Sequence, residues 1–195
     1  FKVLKPDINH SGSDFVVEDG NIRYALGAVK GVGEANMRAI VAEREAHGPY
    51  KDISDFIHRT DIKQINRRQL EQLIKAGAFD CLEKNRGRLF ANVETIMRHI
   101  ASSSELKTSE QASLFGNEEL HAKVKLADKP DWPELEKLKL EAEAIGFYLS
   151  AHPLDSYGRG MERLGVKNCS EIFRNIRTGD SIRAKVAGCV NSFQK

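Results

Sequence analysis

Lys30-Gly31-Val32-Gly33-Glu34 is the stretch whose residue types and spacing point most directly to chemistry. Two glycines flanking one apolar residue permit a very tight turn, because they accept backbone angles barred to other residues. Lacking side chains, they also let the backbone itself approach a ligand. A helical pattern follows, with Met37, Ile40 and Val41 at i, i+3 and i+4. The amides around Gly31 to Glu34 therefore sit at a helix N-terminus, where unpaired N–H groups and the helix dipole favour an anion. Lys30 places a positive charge beside them, and Val32 tucks inward as a plug. Such a turn suits a phosphate group held without base contacts, so binding would be independent of nucleic-acid sequence and sensitive to salt. The alternative is an ordinary tight turn. A dinucleotide-binding turn would follow a strand and carry a third glycine, and a GxxxxGK[ST] phosphate loop is absent.

Other candidates are weaker. Arg86 and Arg88 lie near a helix start, where they can reach a nucleic-acid backbone, although exposed arginines are more often simply solvated. Gln111-Ala112-Ser113-Leu114-Phe115 places two apolar residues in a polar stretch with no core to bury them. A segment of this kind docks apolar anchors into a partner's pocket, with Gln111 as a hydrogen-bonding handle; the alternative is that the pair folds back onto its own protein. Two-metal chemistry needs paired carboxylates. Asp52 and Asp55, and Asp128 and Asp131, read instead as caps and solvated charges, and the six histidines have no ligand spacing. The expectation is no catalytic residue, metal or cofactor in this chain. Cys81, Cys169 and Cys189 are odd in number and far apart, which suggests reduced thiols in a cytoplasmic protein. No apolar run approaches the roughly 20 residues of a membrane span. A net charge of +2 gives no overall field, so any basic surface must be local.

The elements that would position these residues are mostly helical. Residues 1–20 read as short extended pieces around the turn-forming Asn9 to Gly12. Ile22 to Ala46 reads as a short helix, the Gly31-Val32-Gly33 turn and a longer helix ended by Gly48-Pro49. Ile53, Phe56 and Ile57 mark a second short helix. Asn66 and Gln69 form a capping box ahead of Leu70, Leu73 and Ile74, and Gly77 closes that helix. A further helix from about Asn85 carries Leu89, Phe90, Val93, Ile96, Met97 and Ile100 on one stripe. Ala101 to Lys129 lacks periodicity and reads as a polar linker. Asp131 is expected to cap a helix running through Leu149, ended by His152-Pro153, and alternation over Ile182 to Ala187 predicts a strand. The fold class is thus mainly α: a helix-hairpin-helix at Gly31, a second helix pair, a polar linker, a further helix and a truncated first β-strand. The second pair, Arg67–Ala76 and Arg86–Ile100 joined through Ala76-Gly77-Ala78-Phe79, completes a four-helix unit as a packing partner or a degenerate second copy.

Several stretches together carry a resemblance: Val3-Leu4-Lys5-Pro6-Asp7-Ile8-Asn9, Ile22 to Gly33, Leu70 to Asp80, Gln111 to Gly116, and Ile145 to Leu154. In this order they resemble the catalytic alpha subunit of bacterial DNA polymerase III, a C-family replicative polymerase. Lys5 departs from a second proline common there. The resemblance implies a fragment divided as 1–20, the end of the fingers; 21–100, a tandem helix-hairpin-helix domain on duplex DNA; 101–129, a linker whose residues 111–115 bind the sliding clamp; 130–178, a helical connector; and 179–195, the start of an OB fold. It also implies other replicase subunits as partners of the full-length chain. Catalytic aspartates and Mg2+ would belong to a palm domain outside this sequence, so the fragment itself would not be catalytic. Two alternatives stand beside it. One is a helix-hairpin-helix repair enzyme, suggested by Gly48-Pro49 and Asp52 but lacking a lysine at Ala35; the other is a generic DNA-binding adaptor.

Overall fold

The structure, a computed structural model, describes residues 1–108, 123–177, 179 and 181–190, without the side chains of 106–108 and 175. The chain divides into two compact units, Phe1–Ser150 and Ala151–Lys195.

The first unit opens with a small sheet, β1 (Val3–Leu4), β2 (Val16–Glu18) and β3 (Asn21–Arg23), in the order β1-β3-β2. β1 runs parallel to β3 and β2 antiparallel to it. Asp19 and Gly20 both have positive φ (48° and 74°), the combination a two-residue hairpin turn needs for strands of natural twist. Arg23 then forks onto Glu18 at 2.7 and 2.6 Å across the hairpin.

Helices follow: α1 (Glu34–His47), α2 (Ile53–Arg59), α3 (Arg67–Ala76), α4 (Arg86–Ala91), α5 (Val93–Thr108) and α6 (Glu134–Ile145). Their apolar stripes meet in one core that includes Met37, Ile40, Phe56, Ile57, Leu70, Leu73, Ile74, Leu89, Val93, Ile96 and Ile100. α3 is the central element, packed against α4, α5 and α6. Its ends are as the sequence predicts. Asn66 and Gln69 form a reciprocal capping box, and Gly77 closes the helix in the left-handed region at φ 81°.

Tyr50 seals one side of this core, its hydroxyl donating to the Ile40 carbonyl at 3.1 Å and its ring under the Arg59 guanidinium. Burial pushes its phenol up to about 12, with the Arg59 charge pulling the other way, against an ordinary value of about 10. The neutral form is therefore the one the folded state favours. Its stabilisation is fully present below about pH 10 and is lost as pH rises towards 12. Chemical denaturation at about pH 9 and 11 should show that decline, and Tyr50→Phe should flatten it.

Four expectations change. The limb before Gly31 is not a helix. Ala28 and Val29 bond back three residues, to the Ala25 and Leu26 carbonyls, while the Leu26 and Gly27 amides go to Gly12 and Ser13 and the Lys30 amide goes to Ala144. With those donors committed elsewhere, no i to i−4 ladder forms, and the limb is a run of tight turns leaving β3. Residues 101–108 continue α5, and residues 123–132 lie extended against the bundle. There the Val124 amide donates to Ser54 Oγ, and Asn92 exchanges hydrogen bonds with both the amide and the carbonyl of Ala127. α6 is capped by Pro133, because the Asp131 carboxylate is occupied by the Gly87 and Trp132 amides and by Lys137. That helix ends at Gly146 (φ 110°), before Leu149.

The second unit contains a 3-10 turn (Asp155–Tyr157), α7 (Gly158–Arg163) and α8 (Cys169–Asn175). The strand expected over Ile182 to Ala187 appears as an isolated parallel bridge, Lys185 to Val166. A strand needs a ladder partner, and here only one residue finds one. Among the described residues no helix is long and apolar enough to cross a membrane.

Candidate nucleic-acid interface

The turn ahead of α1 has the open geometry its glycines suggest. Gly31 sits at φ 76°, a conformation costly for any other residue, and Gly31, Gly33 and Glu34 are all exposed. Val32 is 7% exposed and belongs to the core, so it anchors the turn as the sequence predicts. Gly33 is the N-cap of α1 and offers no side-chain cap. The first-turn amides of Glu34 and Ala35 thus keep their donors, on a helix end whose dipole favours an anion. Two amides of the stretch are already used: that of Lys30 by Ala144, and that of Val32 by Val29. Among the described residues no backbone acceptor is found for the amides of Gly31, Gly33, Glu34 and Ala35. The Lys30 side chain is exposed and lies over Gly146, with no carboxylate in ion-pair range among the described residues.

The start of α3 lies alongside. Gln69 Oε1 accepts from the Asn66 amide at 2.9 Å and from Asn36 Nδ2 at 3.1 Å, which ties the first turns of α3 and α1 together. Arg68 follows the same cap and lies against Gly31, its Nε 3.4 Å from where a Cβ would stand. Sequence reading passes over Arg68, because one arginine on an exposed helix face has no pattern. Only the approach of two helix starts gives it a neighbour.

Arg86 and Arg88 are placed elsewhere. Arg86 has only 6% of its side chain exposed. It forks onto Asp80 at 2.7 and 2.6 Å, donates to the Lys75 carbonyl at 3.2 Å and lies 3.6 Å from Glu141. Burial works against its charge, but hydrogen bonds and charge from Asp80 and Glu141 outweigh it and raise its pKa above the ordinary value. Arg88 is half-buried, pairing with Glu83 at 3.1 Å and donating to the Leu126 carbonyl. Arg86 is thus committed to the interior, whereas Arg88 keeps 32% of its side chain exposed and is engaged by Glu83. The sequence cannot reveal this, since the partners of Arg86 lie up to 55 residues away, at Glu141.

Of the carboxylates weighed for metal or acid-base chemistry, Asp52, Asp55 and Asp131 are in structural use and Asp128 is a solvated charge. Asp52 caps α2 by accepting from the Asp55 amide, and Asp55 pairs with Arg59 at 3.2 Å. Among the described residues no three His, Cys, Asp or Glu side chains group as a metal site would require. Gln111 to Phe115 lie outside the described residues.

Comparison with known proteins finds sequences similar to this chain. Residues 1–89 match the model of the helix-hairpin-helix motif. The DNA polymerase III subunit alpha of Neisseria meningitidis is 39% identical over 97% of this chain and 16% of its own length. Its counterpart in Caulobacter vibrioides is 40% identical over 78% of this chain and 13% of its own. That of Aquifex aeolicus is 42% identical over 80% of this chain and 12% of its own. The chain thus spans no more than about a sixth of the length of these relatives. Over most of its sequence it matches a fragment of the DNA polymerase III alpha subunit, one that carries the helix-hairpin-helix motif.

Proposed function

We propose that this chain holds duplex DNA by its phosphate backbone, without reading sequence, as part of a replicative DNA polymerase that acts in the cytoplasm with other replicase subunits. The observation that carries the reading is the uncapped start of α1 behind the exposed, positive-φ Gly31, with Lys30 beside it. The arrangement offers backbone donors and one cation to an anion and nothing to a base edge. The family supports the polymerase context. In that context the whole protein is a DNA-directed DNA polymerase whose metal-holding carboxylates lie outside this chain, and these residues grip the product duplex rather than react with it.

Fluorescence anisotropy of a labelled duplex across a salt series tests the grip. Binding should weaken steeply with salt, and Lys30→Glu should lower affinity and reduce the slope of log K against log salt by roughly 1. Salt-independent binding, or no loss in Lys30→Glu, would sink the reading. A repair-enzyme reading would need Asp52 free for catalysis, whereas here it caps α2.

We further propose that Gln111 to Phe115 engage the sliding clamp, with Leu114 and Phe115 as apolar anchors. The support is the residue pattern together with the family, and the firm seating of the chain on either side, by α5 to Thr108 and by the Val124 amide on Ser54.

A further inference from the structure

The unit contains two hairpin turns, the one at Gly31 and a second at Ala76-Gly77-Ala78-Phe79, and they are not equivalent. At Gly77 a Cβ would stand 2.1 Å from Arg86 Nη2 and 3.0 Å from Asp80 Oδ2. The space over this turn is thus filled by the chain's own guanidinium and carboxylate. Its backbone is committed as well: the Gly77 and Ala78 amides bond to Ile74 and Leu73, and the Ala78 carbonyl accepts from Ile8. The Gly77, Ala78 and Asp80 amides are therefore not free to face a phosphate there.

At Gly31 the corresponding space is in van der Waals contact with Arg68, whose Nε, Nη2 and Cζ lie 3.4, 3.7 and 3.8 Å from the Cβ position. Arg68 shares with Lys30 the lack of an ion pair among the described residues and differs in this from three other cations of α1 and α3. Arg67 pairs with Glu71 and Glu94, Arg38 with Glu34, and Lys75 with Glu143. Among the described residues Arg68 has no carboxylate in ion-pair range and no side-chain hydrogen bond. It is exposed, and the Gln69 contacts with Asn66 and Asn36 fix the start of its helix against the start of α1. An arginine in this state gives up no ion pair when an anion arrives, and its planar fork matches two phosphate oxygens at once. Arg67, by contrast, would have to release two carboxylates.

We infer that Arg68 is a DNA-phosphate ligand of the first hairpin, supplied by the neighbouring helix, and that the second hairpin makes no phosphate contact because Arg86 and Asp80 fill it. The inference rests on the duplex-binding reading above. It sharpens that reading from one turn to a two-cation site made of Lys30, Arg68 and the Gly31, Gly33 and Glu34 amides.

The test uses the whole 195-residue chain and the same anisotropy salt series. Arg68→Gln should reduce the slope of log K against log salt by about 1, with an unchanged melting temperature because the side chain holds nothing internal. Arg67→Gln should leave the slope as it is. In a titration followed by backbone amide NMR, the signals of 31–34 should move with added duplex and those of 77–80 should stay. An unchanged slope in Arg68→Gln, with Lys30→Glu still impaired, would overturn the role of Arg68 and leave the first hairpin standing. Shifts at 77–80 as large as those at 31–34 would overturn the exclusion of the second hairpin. If the unaltered chain shows no salt-dependent binding, the duplex-binding reading falls and takes this inference with it.

Discussion

Replacing Arg86 by alanine should cost the first unit about 3–5 kcal/mol of folding stability. An exposed ion pair would cost under about 1; burial makes the difference. The Arg86 side chain is 6% exposed and that of Glu141 only 1%. Glu141 is otherwise held by neutral donors, the Leu149 and Ser150 amides at 3.1 and 2.7 Å and the Ser150 hydroxyl. Without Arg86 its charge stays in the interior with no cation beside it, whereas Asp80, on the other side, is exposed enough to rehydrate. The lost side chain also leaves a void over Gly77 and frees the Lys75 carbonyl. For a unit of about this size the loss corresponds to a fall of roughly 10 °C in melting temperature. Glu141→Gln in the same chain should recover part of it, since an amide oxygen still accepts from Leu149 and Ser150 without carrying a charge. Urea denaturation of the three chains checks this. A loss below about 1 kcal/mol for Arg86→Ala would show that the pair behaves as a surface pair.

The same residue marks where sequence reading reaches its limit. Three kinds of local signal came through. The capping box of Asn66 and Gln69, the closure at Gly77 and the stripes of α1, α3 and α5 depend on residues within a turn or two of one another. The Gly31 turn was legible for the same reason. What failed depends on distant partners. Arg86 has the look of an exposed basic residue at a helix start until Glu141 arrives from α6. The stretch before Gly31 looks helical until Gly12, Ser13 and Ala144 claim its amides and accept from it. Residues 123–129 look like linker until Ser54, Asn92 and Asn85 bind their backbone. In each case a polar group has a choice of partner, and only the assembled fold makes that choice. One local signal was also passed over: Asp19-Gly20, with both φ positive, sets the β2–β3 hairpin.

Replacing both Leu114 and Phe115 by alanine should abolish capture of the chain by the sliding clamp while leaving stability and duplex binding intact. The size of that effect follows from how little else a short peptide has to offer. Its affinity comes from two apolar anchors, each worth about 1.5–3 kcal/mol when buried, and losing both removes most of what holds it. The proposed duplex grip is separate, formed by Gly31, Gly33, Glu34 and their neighbouring cations on the bundle, so it should not respond. Under the proposed reading the two sites would be coupled through geometry. α5 delivers the chain from the bundle as far as Thr108, and from Val124 it is held on the bundle again. A clamp encircling the bound duplex would therefore meet the motif at high effective concentration, and a modest peptide affinity would suffice. Capture by the clamp should accordingly be stronger on DNA than off it, and Lys30→Glu should remove that gain without touching capture in the absence of DNA. Pull-down with and without duplex measures both effects. Undiminished capture by the Leu114→Ala, Phe115→Ala chain would reassign the contact to another surface.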